Sequence, residues 1–495
     1  MGIHLGVYKH YQDFYMIFSY PQNEGKIMDK LSVIIIGGGL SGLSAAIELC
    51  AHGQKVLLLE QHRYCGGRAY SFINAAAGDT VDNGQHLMMG CYHATRQYMR
   101  IIGTEYLTFL QPRLYIEFLH PSKRSLRLAC PPLPAPLHLL GGLMRFQGIP
   151  LKNRLEMLKV AKQLFYTSLS KEQELDKLNV EEWFVKLGQS DLSRKFLWDV
   201  ITIGALNNYP KNVSALMLFR ILRAAFSGKR ENSSILLPRV GLSDMLVNPA
   251  VEFIQQSGGE VLFGTEVSKV HFEDKKIISV STQDGKEYRA QVFLSAVPWF
   301  GFERMLSNSG IRSEMVIRTP SGQLYDPDWF KASPIISIHL WLNRIIMDEE
   351  FAALIDTRVQ WIFNKNSKTM KPLSHGAVKK QETEEKTRQQ LSLVISGAQE
   401  FVDMSKEELI AIAMEDLKRI LPKAKDANIV HSVVIKEKHA TFSPSPGLEA
   451  KRPLPVTTIP NLFLAGDWTN TGFPATIEGA VLSGKKASEL ILKYH

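Results

Sequence analysis

Cysteine is almost missing from this chain. Four residues in 495, Cys50, Cys65, Cys91 and Cys130, stand at wide, irregular intervals with no Cys-x-x-Cys pair among them. That spacing excludes a disulfide framework and a zinc ribbon, and it predicts buried or free thiols in a reducing compartment with no metal site. Long apolar runs are missing as well. Leu31–Ile47 is uncharged but holds a glycine cluster, and Leu128–Met144 is broken by four prolines, so neither reads as a membrane span. The first 28 residues have no apolar core and no small-residue cleavage site, which argues against a signal peptide. The expectation is a cytoplasmic protein whose residues 1–29 form a disordered extension.

Acidic residues are scarce in one particular place. Pro112–Phe165 carries nine basic residues (Arg113, Lys123, Arg124, Arg127, Arg145, Lys152, Arg154, Lys159 and Lys162) against Glu117 and Glu156 only. Most of the chain's net charge of +9 therefore sits in this stretch. A nucleic-acid protein spreads its basic residues over several elements with interleaved aromatics. Here the charge is mixed with the greasy segment Leu133–Met144, which points to an anionic membrane surface and not to nucleic acid. The expected location is the inner face of the membrane, peripherally attached.

What is present in ordinary amounts is a globular composition, 45% hydrophobic and 22% charged, with enough apolar material for a large core without staples. At about 150 residues per domain, the length suggests roughly three units. Leu31–Ile36 reads as a buried parallel strand, Leu43–His52 as a helix and Lys55–Glu60 as a second strand. Glu260–Val270, Lys275–Thr282, Gln291–Ala296 and Asn461–Ala465 read as further strands, and a helix begins near Ala475. The segment 112–234 reads as mainly helical, with Leu151, Leu155, Leu158, Ala161, Phe165 and Leu169 on one apolar face. Asn366–Gln390 reads as a polar excursion between strands. The fold class is α/β: a Rossmann-like nucleotide-binding domain assembled from the discontinuous segments 30–111, 235–300 and 456–495, with an inserted α+β substrate domain from 112–234 and 301–455.

The chemistry-bearing motifs fall in the first of these units. Gly37-x-Gly39-x-x-Gly42 follows a strand and opens a helix, so its glycines permit a tight turn, close approach of a pyrophosphate and close helix–strand packing. The helix N-terminus stabilises the phosphate charge. Glu60 ends the second strand, placed for ribose hydroxyls. Gly66-Gly67-Arg68 adds a flexible loop with an arginine able to meet that pyrophosphate. Gly466-Asp467 ends a late strand, where an aspartate can accept from ribityl hydroxyls, and Thr476–Ala480 begins a helix whose N-terminus can face a flavin's polar edge.

Together these residues resemble the FAD-dependent amine oxidase and phytoene desaturase superfamily, from about Leu31 to Lys486. Asp82–Tyr92 and Gly472–Gly484 are similar to a narrower group, the squalene-associated branch represented by the hydroxysqualene dehydroxylases of bacterial hopanoid synthesis. The resemblance implies FAD at Gly37, Gly39, Leu40, Ser41, Gly42, Glu60, Gln61, Gly67, Arg68, Gly466, Asp467, Thr476 and Ile477, with adenine against the backbone near Val267. It implies a hydrophobic C30 isoprenoid substrate and association with other enzymes of the squalene pathway. Asp82, Gln85 and His86 are the polar groups expected near the reacting end of the flavin, and His86, an imidazole titrating near neutrality, is the candidate acid for a leaving hydroxyl. The blander reading of the same histidine is that it fixes a turn beside the flavin. Two other functions stay open: a polyprenyl desaturase with the opposite direction of electron flow, and a non-catalytic prenyl-lipid escort protein.

Overall fold

The computed structural model describes residues 32–167, 169–367 and 388–494. The expected extension 1–29 and most of the Asn366–Gln390 excursion lie outside the described residues, as do the side chains of Lys123, Arg124 and Leu169. The fold is mixed α/β. Its first sheet is all parallel, in the order Glu260–Leu262, Lys55–Leu59, Ser32–Ile36, Val292–Ser295, Leu462–Leu464. Such a sheet must be covered on both faces, and its residues alternate accordingly. Val33, Ile35 and Leu58 pack under helices Leu40–Ala51, Asn248–Gln256 and Ile477–Ile491 through Leu43, Ile254 and Val481. Ile34, Ile36 and Leu59 pack on the other side against Val270, Val280 and helix Trp299–Asn308. Two of the five strands come from the first 60 residues, two from residues 260–295 and one from the C-terminal region, so the sheet is assembled from distant segments.

One expected strand, Glu260–Val270, is two. Glu260–Leu262 joins the parallel sheet, while Val267–Glu273 pairs antiparallel with Lys276–Thr282 in a separate three-stranded sheet. The continuous apolar and β-branched run hides the turn at Phe263–Glu266 that divides them.

The second large sheet has seven strands, ordered Ile429–Phe442, Ala332–Leu342, Gln389–Ser396, Trp361–Asn364, Phe351–Leu354, Tyr115–His120, Lys123–Ala129. Segment 112–234 thus opens with a β-hairpin rather than a helix. Ile116 and Phe118 point to one core and Leu119 to another, a period of two that places the segment in a sheet covered on both faces. Helices fill the rest, from Leu137–Arg145 to Ala215–Phe226. Ile336, Ile338, Leu340 and Leu393 cover one face of the sheet together with Leu409 and Leu417 of helix Lys406–Ile420.

Helix Leu151–Tyr166 also differs from its reading. It buries Met157, Val160 and Leu164, leaving Leu151, Leu155 and Phe165 of the expected apolar face roughly half exposed and Tyr166 more so. The helix has apolar residues on two stripes, and tertiary packing selects the one that matches Trp183 and Phe184. Arg154 is not a surface charge: its guanidinium donates to the carbonyls of Ile149, at 2.8 Å, and Met144. Leu133, Leu137 and Leu140 are exposed nearby. Among the described residues no helix is long and apolar enough to cross a membrane. The four cysteines are buried and free.

Candidate active site

The glycine loop leaves the strand Ser32–Ile36 and enters helix Leu40–Ala51. A Cβ on Gly42 would stand 2.0 Å from the Gly37 carbonyl oxygen, and Gly37 itself has φ +104°, so both positions require glycine. Gly39, by contrast, opens onto free space, with nothing within 4 Å of its missing Cβ. The helix it begins has no side-chain cap and no acid in its first turn, which leaves the dipole's positive end for an anion. Leu40, Ser41 and Gly42 form that turn and are buried. Gly66 donates its N–H to the Gly38 carbonyl at 2.8 Å, which lays Gly67 against Gly39.

Glu60 is 5% exposed. Its Oε2 accepts from the Gly38 N–H at 2.7 Å and its Oε1 from the His62 N–H at 2.8 Å. A carboxylate has about four acceptor sites, so its remaining lone pairs are available to ribose hydroxyls. Gln61, beside it, is exposed, with Nε2 3.2 Å from His62 Nε2. Val267 begins its strand next to the turn in which Thr265 donates to the Glu60 carbonyl. Arg68 and Asp467, expected to meet the ligand separately, are bonded to each other at 2.7 Å, and Arg68 also donates to the Ala440 carbonyl at 2.9 Å. Gly466 donates to Ser483 Oγ at 2.9 Å. Thr476 caps helix Ile477–Ile491, accepting from Gly479, and Ile477 is buried. An open glycine cradle, an uncapped helix end and buried acids at two strand ends fit a dinucleotide with a pyrophosphate.

Replacing Glu60 with alanine should lower flavin affinity by about 1.5–3 kcal/mol, the range for hydrogen bonds to a charged group. The ratio of flavin to protein absorbance after gel filtration measures this, and unchanged retention would refute the ribose assignment.

Beside the cradle lies a polar cluster. Asn83 Nδ2 donates to the Arg68 carbonyl at 2.9 Å, tying loop 82–86 to the Gly66-Gly67-Arg68 turn. Asp82 is 2% exposed. Its Oδ1 accepts from Ser71 Oγ at 2.7 Å and from the Leu242 N–H at 3.0 Å, and its Oδ2 faces Lys365 Nζ at 3.2 Å. Burial pushes this carboxyl up, but Lys365 and the two donors outweigh it and hold it below the ordinary value. Lys365 Nζ also donates to Gln85 Oε1 at 3.0 Å. Burial pushes the His86 imidazole below its ordinary value, with Asp82 opposing. At neutral pH His86 is therefore a neutral ring, and the cation of the cluster is Lys365.

Three residues here carry no sequence signal that the motifs expose. His339 comes from the second sheet, Lys365 from the turn just past its strand Trp361–Asn364, and Arg452 from a short turn. Arg452 is 1% exposed and donates to the carbonyls of Asp467 and Phe473, both at 2.7 Å, and of Thr469. It thereby shapes the loop that presents Asp467. Its local sequence, the mixed Glu449-Ala-Lys-Arg452 followed by Pro453 and Pro455, looks like an ordinary polar turn.

A family model described as flavin containing amine oxidoreductase matches residues 40–492. Among curated relatives, the hydroxysqualene dehydroxylases of Zymomonas mobilis and Rhodopseudomonas palustris are 25% and 28% identical, each across 93% of this chain and 99% and 98% of theirs. The 15-cis-phytoene desaturase of Synechococcus elongatus is 23% identical across 93% of this chain and 96% of its own. Among solved structures, an oxidoreductase from Methanosarcina mazei superposes with a TM-score of 0.68 at 16% identity, covering 93% of this chain and all of that one.

Proposed function

We propose that this chain, which belongs to the flavin-containing amine oxidoreductase family, reductively removes the hydroxyl of hydroxysqualene to give squalene for hopanoid synthesis. That it is an FAD-dependent oxidoreductase follows from the family and from relatives matched end to end. The observation that carries the finer reading is the identity of 25–28% with enzymes of that name along nearly the whole of both chains. The phytoene desaturase match supports a second reading, removal of hydrogens from a polyprenyl hydrocarbon. The intact cradle for FAD speaks against a lipid escort without redox chemistry.

Held by the Gly37–Gly42 loop, Glu60 and Asp467, reduced FAD would supply hydride chemistry at this site. The residues' part is to hold the alcohol, protonate its oxygen and exclude water. The allylic carbon–oxygen bond ionises readily, but hydroxide is a poor leaving group, so an acid must meet the oxygen. Lys365 is the cation placed for this, against Asp82 and Gln85, with His86 beside it. An apolar surround keeps water from recapturing the cation. Incubation with hydroxysqualene and reduced FAD, followed by lipid analysis, should yield squalene. Conversion of phytoene in its place would favour the desaturase.

A C30 isoprenoid is nearly insoluble, so the reading includes delivery from a membrane with anionic lipid. Its support is the exposed, mixed surface of helix Leu151–Tyr166, where Lys152, Lys159 and Lys162 stand exposed among Leu151, Leu155 and Phe165. Basic residues near such a surface contribute about 1 kcal/mol each. Changing those three lysines to glutamine should therefore weaken flotation with anionic liposomes roughly 100-fold. Salt-insensitive binding, equal in the variant, would sink the electrostatic part.

A further inference from the structure

The second sheet has two unlike faces. Along the strand Ala332–Leu342, Ile336, Ile338 and Leu340 enter the apolar core under helix Lys406–Ile420. The alternate residues Ser337 and His339 point the other way. Register sets His339 opposite Ser392, and Ser392 opposite Phe363. Ser337, His339 and Ser392 are 1%, 2% and 0% exposed. Yet Ser337 Oγ, His339 Nε2 and Ser392 Oγ have no hydrogen-bond partner among the described residues. Buried polar atoms are nearly always paired, so three orphans on one sheet face call for a ligand.

The neighbours of these atoms say which kind. A Cβ built on Gly84 would lie 3.6 Å from Ser337 Oγ and 3.8 Å from His86 Nε2, so the face lies directly beneath the loop that is tied to the flavin cradle. Gln85 Nε2 in that loop is also buried without a partner. Its amide cannot turn over, because Oε1 is held by Lys365, and so an N–H faces the site as donor. His339 is bonded through its ring to the Asp82 backbone, and burial lowers it to about 4. Neutral at physiological pH and tied at one nitrogen, it presents Nε2 as an acceptor. Farther along the same face Phe351, Trp361 and Phe363 stand with ring centroids 6.2–6.5 Å apart. The face is polar at the cradle end and aromatic beyond it.

We propose that His339, Ser337 and Ser392, with Gln85 above them, form a hydroxyl-binding subsite that takes the one oxygen of a long isoprenoid alcohol, whose hydrocarbon runs along the aromatic end of the face. The alcohol O–H donates to His339 Nε2, and its oxygen accepts from the Gln85 amide and a serine hydroxyl. A pure hydrocarbon satisfies none of these atoms. This rests on the dehydroxylase reading and deepens it, since it makes the alcohol, rather than the chain, the feature recognised.

The test uses the full-length flavoprotein and follows flavin absorbance while hydroxysqualene or squalene is titrated in the same detergent. Wild type should bind the alcohol about 10- to 100-fold more tightly, as expected when buried polar atoms would otherwise stay unpaired. His339→Leu should erase most of that preference while leaving squalene affinity unchanged. If that variant loses its flavin or its cooperative melt, Ser337→Ala/Ser392→Ala, which alters only two hydroxyls, should cut the preference instead. A preference equal in wild type and variants would mean that ordered water alone satisfies these atoms, and would overturn the subsite. So would wild-type enzyme that converts hydroxysqualene without preferring it to squalene. Failure to convert hydroxysqualene at all would instead overturn the parent reading.

Discussion

Arg452→Ala is expected to cost about 3–5 kcal/mol of stability, the range for removing one partner from a buried charged network, and to release FAD. The side chain is 1% exposed and bonds Glu449 Oε2 at 2.8 Å as well as four carbonyls of the loop 467–473. Glu449 keeps a second partner, Arg220 at 2.7 Å, so the carboxylate is not stranded. The loss falls on the loop carbonyls, which give up their charged donor. Because one of them belongs to Asp467, the loop should lose the shape that sets Asp467 against Arg68. Lysine at 452 keeps the charge but not the planar fork, and cannot reach four carbonyls at once. Arg452→Lys should therefore recover part of the stability and little of the flavin. Denaturant melts and flavin content measure both, and a variant with native flavin content and an unmoved midpoint would refute this role.

Much of the nucleotide-binding unit was legible because its requirements are local. A strand, a glycine loop, a helix and a terminal acid follow one another within thirty residues, and Gly42 answers to the Gly37 carbonyl only five residues away. The second sheet was less legible. Tyr115–His120 and Lys123–Ala129 were read with the helical segment because Tyr115–His120, buried along most of its length, lacks a clean polar alternation. Helix Leu151–Tyr166 was recognised as amphipathic, but its two apolar stripes compete, and only Trp183 and Phe184, from another helix, decide which is buried. The polar cluster joins Asp82 to Lys365 across 283 positions. A lone lysine at the edge of a polar excursion carries no motif, so its partner is known only from the fold. Asp82 and Gln85, which belong to a recognisable motif, were found; the groups that complete them were not.

Lys365→Met tests that completion most directly. The Lys365 side chain is 15% exposed and its ammonium faces Asp82 at 3.2 Å, so methionine of similar length leaves a buried carboxylate with only Ser71 and Leu242 as donors. The expected destabilisation is about 3–5 kcal/mol at neutral pH. Its pH dependence has a definite sign. In the wild type Asp82 titrates below its ordinary value, so the pair's contribution is present above the unfolded carboxylate range and is lost as pH falls through the folded value. In the variant, burial is no longer outweighed by the cation, the carboxyl moves up, and stability should fall on raising the pH through its new value. Asp82→Asn added to Lys365→Met should restore much of the stability, since neither buried charge remains, and the coupling between the two sites should show as non-additivity. Activity should not return with it. If Lys365 protonates the leaving oxygen, both variants should dehydroxylate about 10²-fold more slowly or worse, whereas Lys365→Arg should keep the fold and pH profile of the wild type. A Lys365→Met enzyme as stable as wild type would refute the ion pair's structural role, and a stable double variant with full turnover would move the proton donor elsewhere.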